Sequence, residues 1–208
     1  MSIRISEKDT SIELFTPNDK PYGMSYGEWT VKWWQWMISI PMNSNPAADE
    51  DGRYAGINQT DPYVWFLAGT LGGMSVNRRC RIPLKRSILF PVINIEINPV
   101  EQPSLKSPAD MIRYVTEDED DIIDLDAQVN GQKVPIYRVR SDPVIFPLKI
   151  PNDNPFKAPG DIATMATSDG YWVFLKSLDP GEYHLYFSGS CSLGTRNVKA
   201  SYTLTVVS

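Results

Sequence analysis

Acid–base chemistry in this chain would fall to very few side chains: Glu28, Glu96, Asp169 and His184, the sole histidine. A hydrolase or lyase could use a carboxylate whose pKa is raised by burial, or an imidazole that titrates near neutrality. Each residue also has a plainer reading. Glu28 stands three residues after Ser25, the spacing of a helix capping box. His184 alternates with Tyr183 and Leu185, so it shares a strand face with Glu182 and Tyr186. No Ser-His-Asp order can be built around it. Asn94 and Glu96 mark where one face of a strand turns from apolar to polar, as at the mouth of a cleft. With Arg79, Asp169 and Tyr171 they could form a polar pocket; the plainer reading is exposed strand-end polarity. Trp34 and Trp172 complete the candidate ligand contacts. The acidic run Glu117–Asp121 lacks the spaced D-x-D-x-D-G pattern of a calcium loop and reads as a solvated loop. Nucleotide-, zinc- and serine-hydrolase motifs are absent, so neither metal nor cofactor is expected.

A helix must carry the densest of these residues. Four of the 6 Trp lie between Trp29 and Trp36. Ser25 and Glu28 cap a helix predicted over residues 25–40, which Pro41 ends. At 100° per residue, Lys32, Gln35 and Ser39 form a narrow polar stripe, and Trp29, Trp33, Trp36, Met37 and Ile40 a broad apolar face. Val31, Trp34 and Ile38 extend that face past half the circumference, which is too wide for one binding surface and predicts burial on most sides. A buried indole contributes about 4–6 kcal/mol gross. Ordering the helix costs about 1.5 kcal/mol per residue, a sum similar to the gain from four indoles, so the helix holds only if they leave water.

Strands fill most of the rest. Tyr63–Ala68 is a continuous apolar run. Val76–Ile82 is mixed, with Arg78, Arg79 and Arg81. Ser87–Ile97 puts Leu89, Pro91, Ile93, Ile95 and Ile97 on one face, and Pro91 implies an edge or a bulge. Ser107-Pro108-Ala109-Asp110 opens a second, short helix. Asn130-Gly131 is a hairpin turn between strands over 123–129 and 133–138. Strands follow over 143–150, 171–175, 183–187 and from Val198 to the end, with a Pro180-Gly181-x-Tyr183 corner. Residues 1–23 read as an N-terminal arm, and 24–208 as one domain.

Composition narrows the partners. A net charge of −5 and no basic stripe argue against nucleic acid and anionic membrane surfaces. The N-terminus shows no apolar signal core, which predicts a cytoplasmic protein, or a secreted one if a leader was removed. Cys80 and Cys191 read as free thiols in a reducing compartment, with one disulfide as the alternative.

Several blocks bear on family: Tyr26-Gly27-Glu28-Trp29 with Trp33-Trp34-Gln35-Trp36, then Val64–Gly69, Cys80-Arg81-Ile82-Pro83, Leu89–Asn94, Asp169-Gly170-Tyr171-Trp172 and Leu204-Thr205-Val206. Together they resemble a prokaryotic family of uncharacterised all-β proteins, over roughly residues 25–207. The resemblance implies a shared fold and no activity. Members often carry a secretion signal, whose apolar core is not seen in residues 1–9 here, and a cysteine that could partner Cys80 where this chain has Tyr54 and Ala55.

The expected architecture is therefore mainly β: an antiparallel β-sandwich, immunoglobulin-like at its C-terminal end, with one buried Trp-rich helix and a second short helix. The expected function is a non-catalytic binding or interaction module for a carbohydrate or protein ligand. The alternatives are a hydrolase or lyase with a carboxylate/His site, and a structural subunit of a homo-oligomer that buries the Trp helix between chains.

Overall fold

A computed structural model describes residues 12–155, 157 and 159–207. The front of the N-terminal arm, residues 1–11, lies outside the described residues. The back of the arm joins the domain: Leu14 bridges Leu175, and Phe15 packs edge-on against Phe174 at 5.0 Å.

The first helix, α1 (Tyr26–Ser39), forms where the Trp periodicity places it. Its capping box is complete: the Ser25 Oγ accepts from the Glu28 amide at 3.1 Å, and the Ser25 amide donates to Glu28 Oε2 at 2.6 Å. Past its end, the buried Asn45 amide donates to the carbonyls of Met37 and Ile40, both at 2.9 Å. Trp29, Trp33, Trp34 and Trp36 are all buried, as the wide apolar arc requires.

Three strands follow: β1 (Val64–Phe66), β2 (Ser75–Pro83) and β3 (Ser87–Ile97). The second helix, α2 (Pro108–Asp120), is capped by Ser107 and runs on through most of the acidic run. The expectation of a solvated loop there is wrong. Carboxylates at a helix C-terminus oppose the macrodipole, but three of these are paired: Asp118 and Glu119 with Arg196, and Asp120 with Arg138.

Next come β4 (Ile122–Val129) and β5 (Gln132–Lys133), joined at Asn130-Gly131, both at positive φ as the hairpin signal demands. The return strand expected to reach Arg138 stops at Lys133, because Pro135 cannot extend the ladder. The chain then changes sheets as β6 (Tyr137–Arg138). Four longer strands complete the fold: β7 (Phe146–Ile150), β8 (Ile162–Leu175), β9 (Gly181–Cys191) and β10 (Asn197–Val207).

The architecture is mainly β, with two sheets of five strands and two helices among the described residues. One sheet runs β1-β3-β8-β6, with β7 also on β8; the other runs β2-β10-β9-β4-β5. The expectation of antiparallel pairing needs correction at two places, because β1–β3 and β2–β10 are parallel. A parallel pair needs a long connection between its members. Nearly the whole domain separates β2 from β10.

Two apolar layers share the first sheet. Leu89, Trp172 and Phe174 pack with α1 and β7. Their strand neighbours Phe90, Val173 and Leu175 pack with Leu185, Phe187 and Leu204 of the second sheet. Phe90 and Phe187 meet at 4.9 Å between ring centres. The Trp helix is thus covered within one chain. Cys80 and Cys191 are free thiols. Among the described residues no helix is long and apolar enough to cross a membrane.

Candidate functional site

The α1 indoles double as fasteners. Trp29 donates from Nε1 to the Pro21 carbonyl at 2.9 Å, Trp33 to Leu67 at 2.8 Å and Trp36 to Ile57 at 2.9 Å. A buried indole N–H normally finds such an acceptor. Trp34 is the exception in this helix: its Nε1 is buried with no partner.

Trp34 lines a cleft of about 180 Å³. One wall is Trp33, Trp34 and Met37 of α1. The facing wall is Pro91–Asn94 of β3, and the segments Thr70–Gly72 and Arg196–Val198 form the rim. The β3 wall exists because the strand bulges. Register slips between Pro91 and Ile93, so Val92 is an extra residue. Before the bulge the even positions Phe90 and Val92 face the second sheet. After it, Asn94 pairs with Gly170 and Glu96 with Ser168, on the β8 face that carries Trp172 and packs on α1. The switch from apolar to polar at even positions is therefore a change of layer, and the strand does not run out to solvent. The bulge also breaks the single odd-numbered apolar face expected for this strand. Gly170 is required opposite Asn94, since a Cβ there would lie 2.5 Å from the Asn94 Cβ.

Arg78 holds the rim. It is 1% exposed, and its guanidinium donates to the carbonyls of Asp49 (2.7 Å), Ala68 and Gly69 (both 2.8 Å) and to the Tyr202 hydroxyl at 2.7 Å. Arg196 enters from the β9–β10 hairpin, whose turn is tied by its own amide donating to Cys191 Sγ at 3.3 Å. Its guanidinium pairs with Asp118 and, at 2.6 Å, with the fully buried Glu119. Burial pushes the Glu119 carboxyl up to about 8, against the pull of Arg196.

Four residues of the cleft lining carry buried polar atoms with no partner: Trp34 (Nε1), Thr70 (Oγ1), Asn94 (Nδ2) and Arg196 (Nε). Behind Asn94, Glu96 is 4% exposed; its Oε1 accepts from Asn98 Nδ2 at 3.1 Å and its Oε2 has no partner. Burial raises the Glu96 carboxyl to about 8, with a smaller push from Glu101, itself raised to about 7 by burial.

The residues singled out in the sequence therefore separate. Trp34 and Asn94 line the cleft; Glu96 lies behind Asn94, and Trp172 is buried edge-on to Trp33 at 5.4 Å. Asp169 and Tyr171 face the other side of β8, so the polar pocket joining them to Asn94 and Glu96 does not form. Asp169 is buried between Arg138 (3.1 Å) and Arg140 (3.0 Å), and the Tyr171 hydroxyl donates to the Glu119 carbonyl at 3.4 Å. Glu28 serves the helix cap. Arg79 and His184 are exposed on the outer face of the second sheet, each in register with Thr203 of β10. Sequence reasoning missed Arg78, Thr70 and Arg196. The alternation Val76, Arg78, Cys80, Ile82 could have put Arg78 inside; Thr70 and Arg196 carry no local signal. Among the described residues no group of three His, Cys, Asp or Glu is placed to hold a metal ion.

Comparison of the chain with models of known protein families, with curated proteins and with solved structures finds no match.

Proposed function

We propose that this chain is a small-molecule binding module whose site is the cleft between α1 and the β3 bulge. The observation that carries the reading is Trp34, the one α1 indole left without an acceptor, in the wall of a preformed, mostly apolar cleft. An unpartnered buried donor costs about 1–3 kcal/mol, which a ligand oxygen would recover. The buried indoles offer no flat, solvent-facing row, so a carbohydrate partner is narrowed to a sugar small enough to enter the cleft.

On architecture, a β-sandwich with an immunoglobulin-like C-terminal end is supported by the shared core of the two sheets. It is supported further by the Tyr183 hydroxyl, which donates to the Asp179 carbonyl at 3.1 Å in the manner of a tyrosine corner. The resemblance to the uncharacterised prokaryotic family belongs with this proposal and adds no activity to it.

The test is NMR of the indole N–H groups during a fragment screen, with the Trp34 resonance assigned by its loss in Trp34→Phe. Ligands that shift this resonance are expected; a screen in which none moves it would end the proposal. A second reading, a hydrolase or lyase, rests on Glu96 alone: a carboxyl raised to about 8 beside the cleft could serve as a general acid. Turnover of any ester or glycoside that is lost in Glu96→Gln, with the fold intact, would favour it.

A further inference from the structure

We infer that the cleft is built for a small organic carboxylate with a flat apolar body. This rests on the binding reading above and names its ligand class.

Side-chain donors outnumber side-chain acceptors in the cleft lining. Trp34 contributes an N–H, Asn94 an NH₂, Thr70 a hydroxyl and Arg196 an Nε–H, all four buried without partners. Of the two side-chain carbonyls in the lining, Asn197 Oδ1 is already taken by the Gly73 amide at 3.1 Å, which leaves Asn94 Oδ1 as a single acceptor against these donors. A ligand that pairs these groups must bring acceptors. A ketone or ether oxygen offers at most two lone pairs; a carboxylate offers about four and can accept from several donors at once. Hydrogen bonds to an ionised acceptor are also roughly twice as strong as neutral ones.

Burying a negative charge requires a positive one nearby. Arg196 is the cation in the cleft lining. Two of its nitrogens face Asp118 and the buried Glu119, and its Nε is buried without a partner. That Nε–H is left for a ligand acceptor. The rest of the wall, Trp33, Met37, Val92 and Val198, is apolar and suits a ring. A volume of about 180 Å³ matches roughly six waters at ~30 Å³ each, which admits one ring with one small substituent.

The experiment titrates the full chain at pH 7 with benzoate, benzamide and benzyl alcohol, reading affinity by calorimetry and the Trp34 indole N–H by NMR. Benzoate is expected to bind at least tenfold more tightly than benzyl alcohol and to shift the Trp34 resonance. Trp34→Phe, Asn94→Leu and Arg196→Met should each weaken benzoate about tenfold and leave benzyl alcohol within twofold. Near-ultraviolet circular dichroism identifies any variant that fails to fold, and the remaining variants then decide. Benzyl alcohol or benzamide binding as tightly as benzoate, with the Trp34 shift, would overturn the carboxylate assignment and leave the binding module standing. Benzoate binding unchanged in the folded variants would place it elsewhere and overturn the assignment as well. Silence of the Trp34 resonance with all three probes would overturn the binding reading itself.

Discussion

Arg78 and Glu96 each put a polar group where the pattern of apolar neighbours calls for a hydrocarbon. Arg78 is solvated by backbone carbonyls and the Tyr202 hydroxyl. Removing its guanidinium leaves the carbonyls of Asp49, Ala68 and Gly69 buried without these donors, and such orphaned acceptors are costly. Arg78→Met is therefore expected to destabilise the chain by about 3 kcal/mol, measured by urea denaturation. A loss under about 1 kcal/mol would mean that the guanidinium is not what holds the rim. Glu96 gives a pH signature. Its pKa is raised in the folded chain, from an ordinary 4.5 to about 8, so the folded state holds the proton more tightly than the unfolded state does. That contribution is complete below pH ~4.5 and is lost as pH rises through about 8. Glu101 and Glu119, also raised by burial, act in the same direction. Thermal stability should fall between about pH 5 and 8, and Glu96→Gln should flatten the fall without abolishing it. A variant with the wild-type slope would show that the Glu96 carboxyl stays ionised in the folded chain.

Elements differ in how much of their reason lies in their own sequence. The start of α1 is local: Ser25 and Glu28 satisfy each other's amides, and the Ser25 hydroxyl also donates to Asp142 at 2.8 Å. Ser25→Ala should cost about 1 kcal/mol, read from the shift in urea midpoint; no shift would mean that the buried indoles alone fix the helix start. Locality explains what could be read in advance. The α1 arc, the Asn130-Gly131 turn and the alternation along β10 each follow from side chains a few positions apart, and the structure matches them. The acidic end of α2 was illegible because its partners are distant: Arg138 and Arg196 reach it from β6 and the β9–β10 hairpin. Pro91 announced an irregularity in β3, but its consequence, Asn94 turned toward Trp34, depends on the register with β8. The cleft was illegible for the same reason. Trp34, Thr70, Asn94 and Arg196 come from four separate segments, and nothing in any one of them points to the others.

Across the whole molecule, β3 and β8 bind the two layers into one unit. Leu89 and Phe174 pack into the helix layer, while Phe90 and Val173, the next residues along the same strands, pack between the sheets. Neither layer can lose order without withdrawing the strand that supports the other. The edges are tied as well. β2 runs beside β10 for nine registered pairs, and Arg78 fastens β2 to the loops that lead out of α1 and β1. The α2 end reaches both sheets, through Arg138 of β6 and Arg196 of the β9–β10 hairpin. A chain of this length could unfold in stages, but the shared strands argue for one step. Tryptophan fluorescence follows mainly the α1 layer, where four of the six indoles lie, and far-ultraviolet circular dichroism follows mainly the sheets. The two urea transitions should coincide in midpoint and slope. A fluorescence transition that precedes the dichroism transition would mean that α1 peels from a self-sufficient pair of sheets, and the cleft would then be a junction between separately stable parts. Coincident transitions would make the cleft as durable as the core, as the proposed binding site requires.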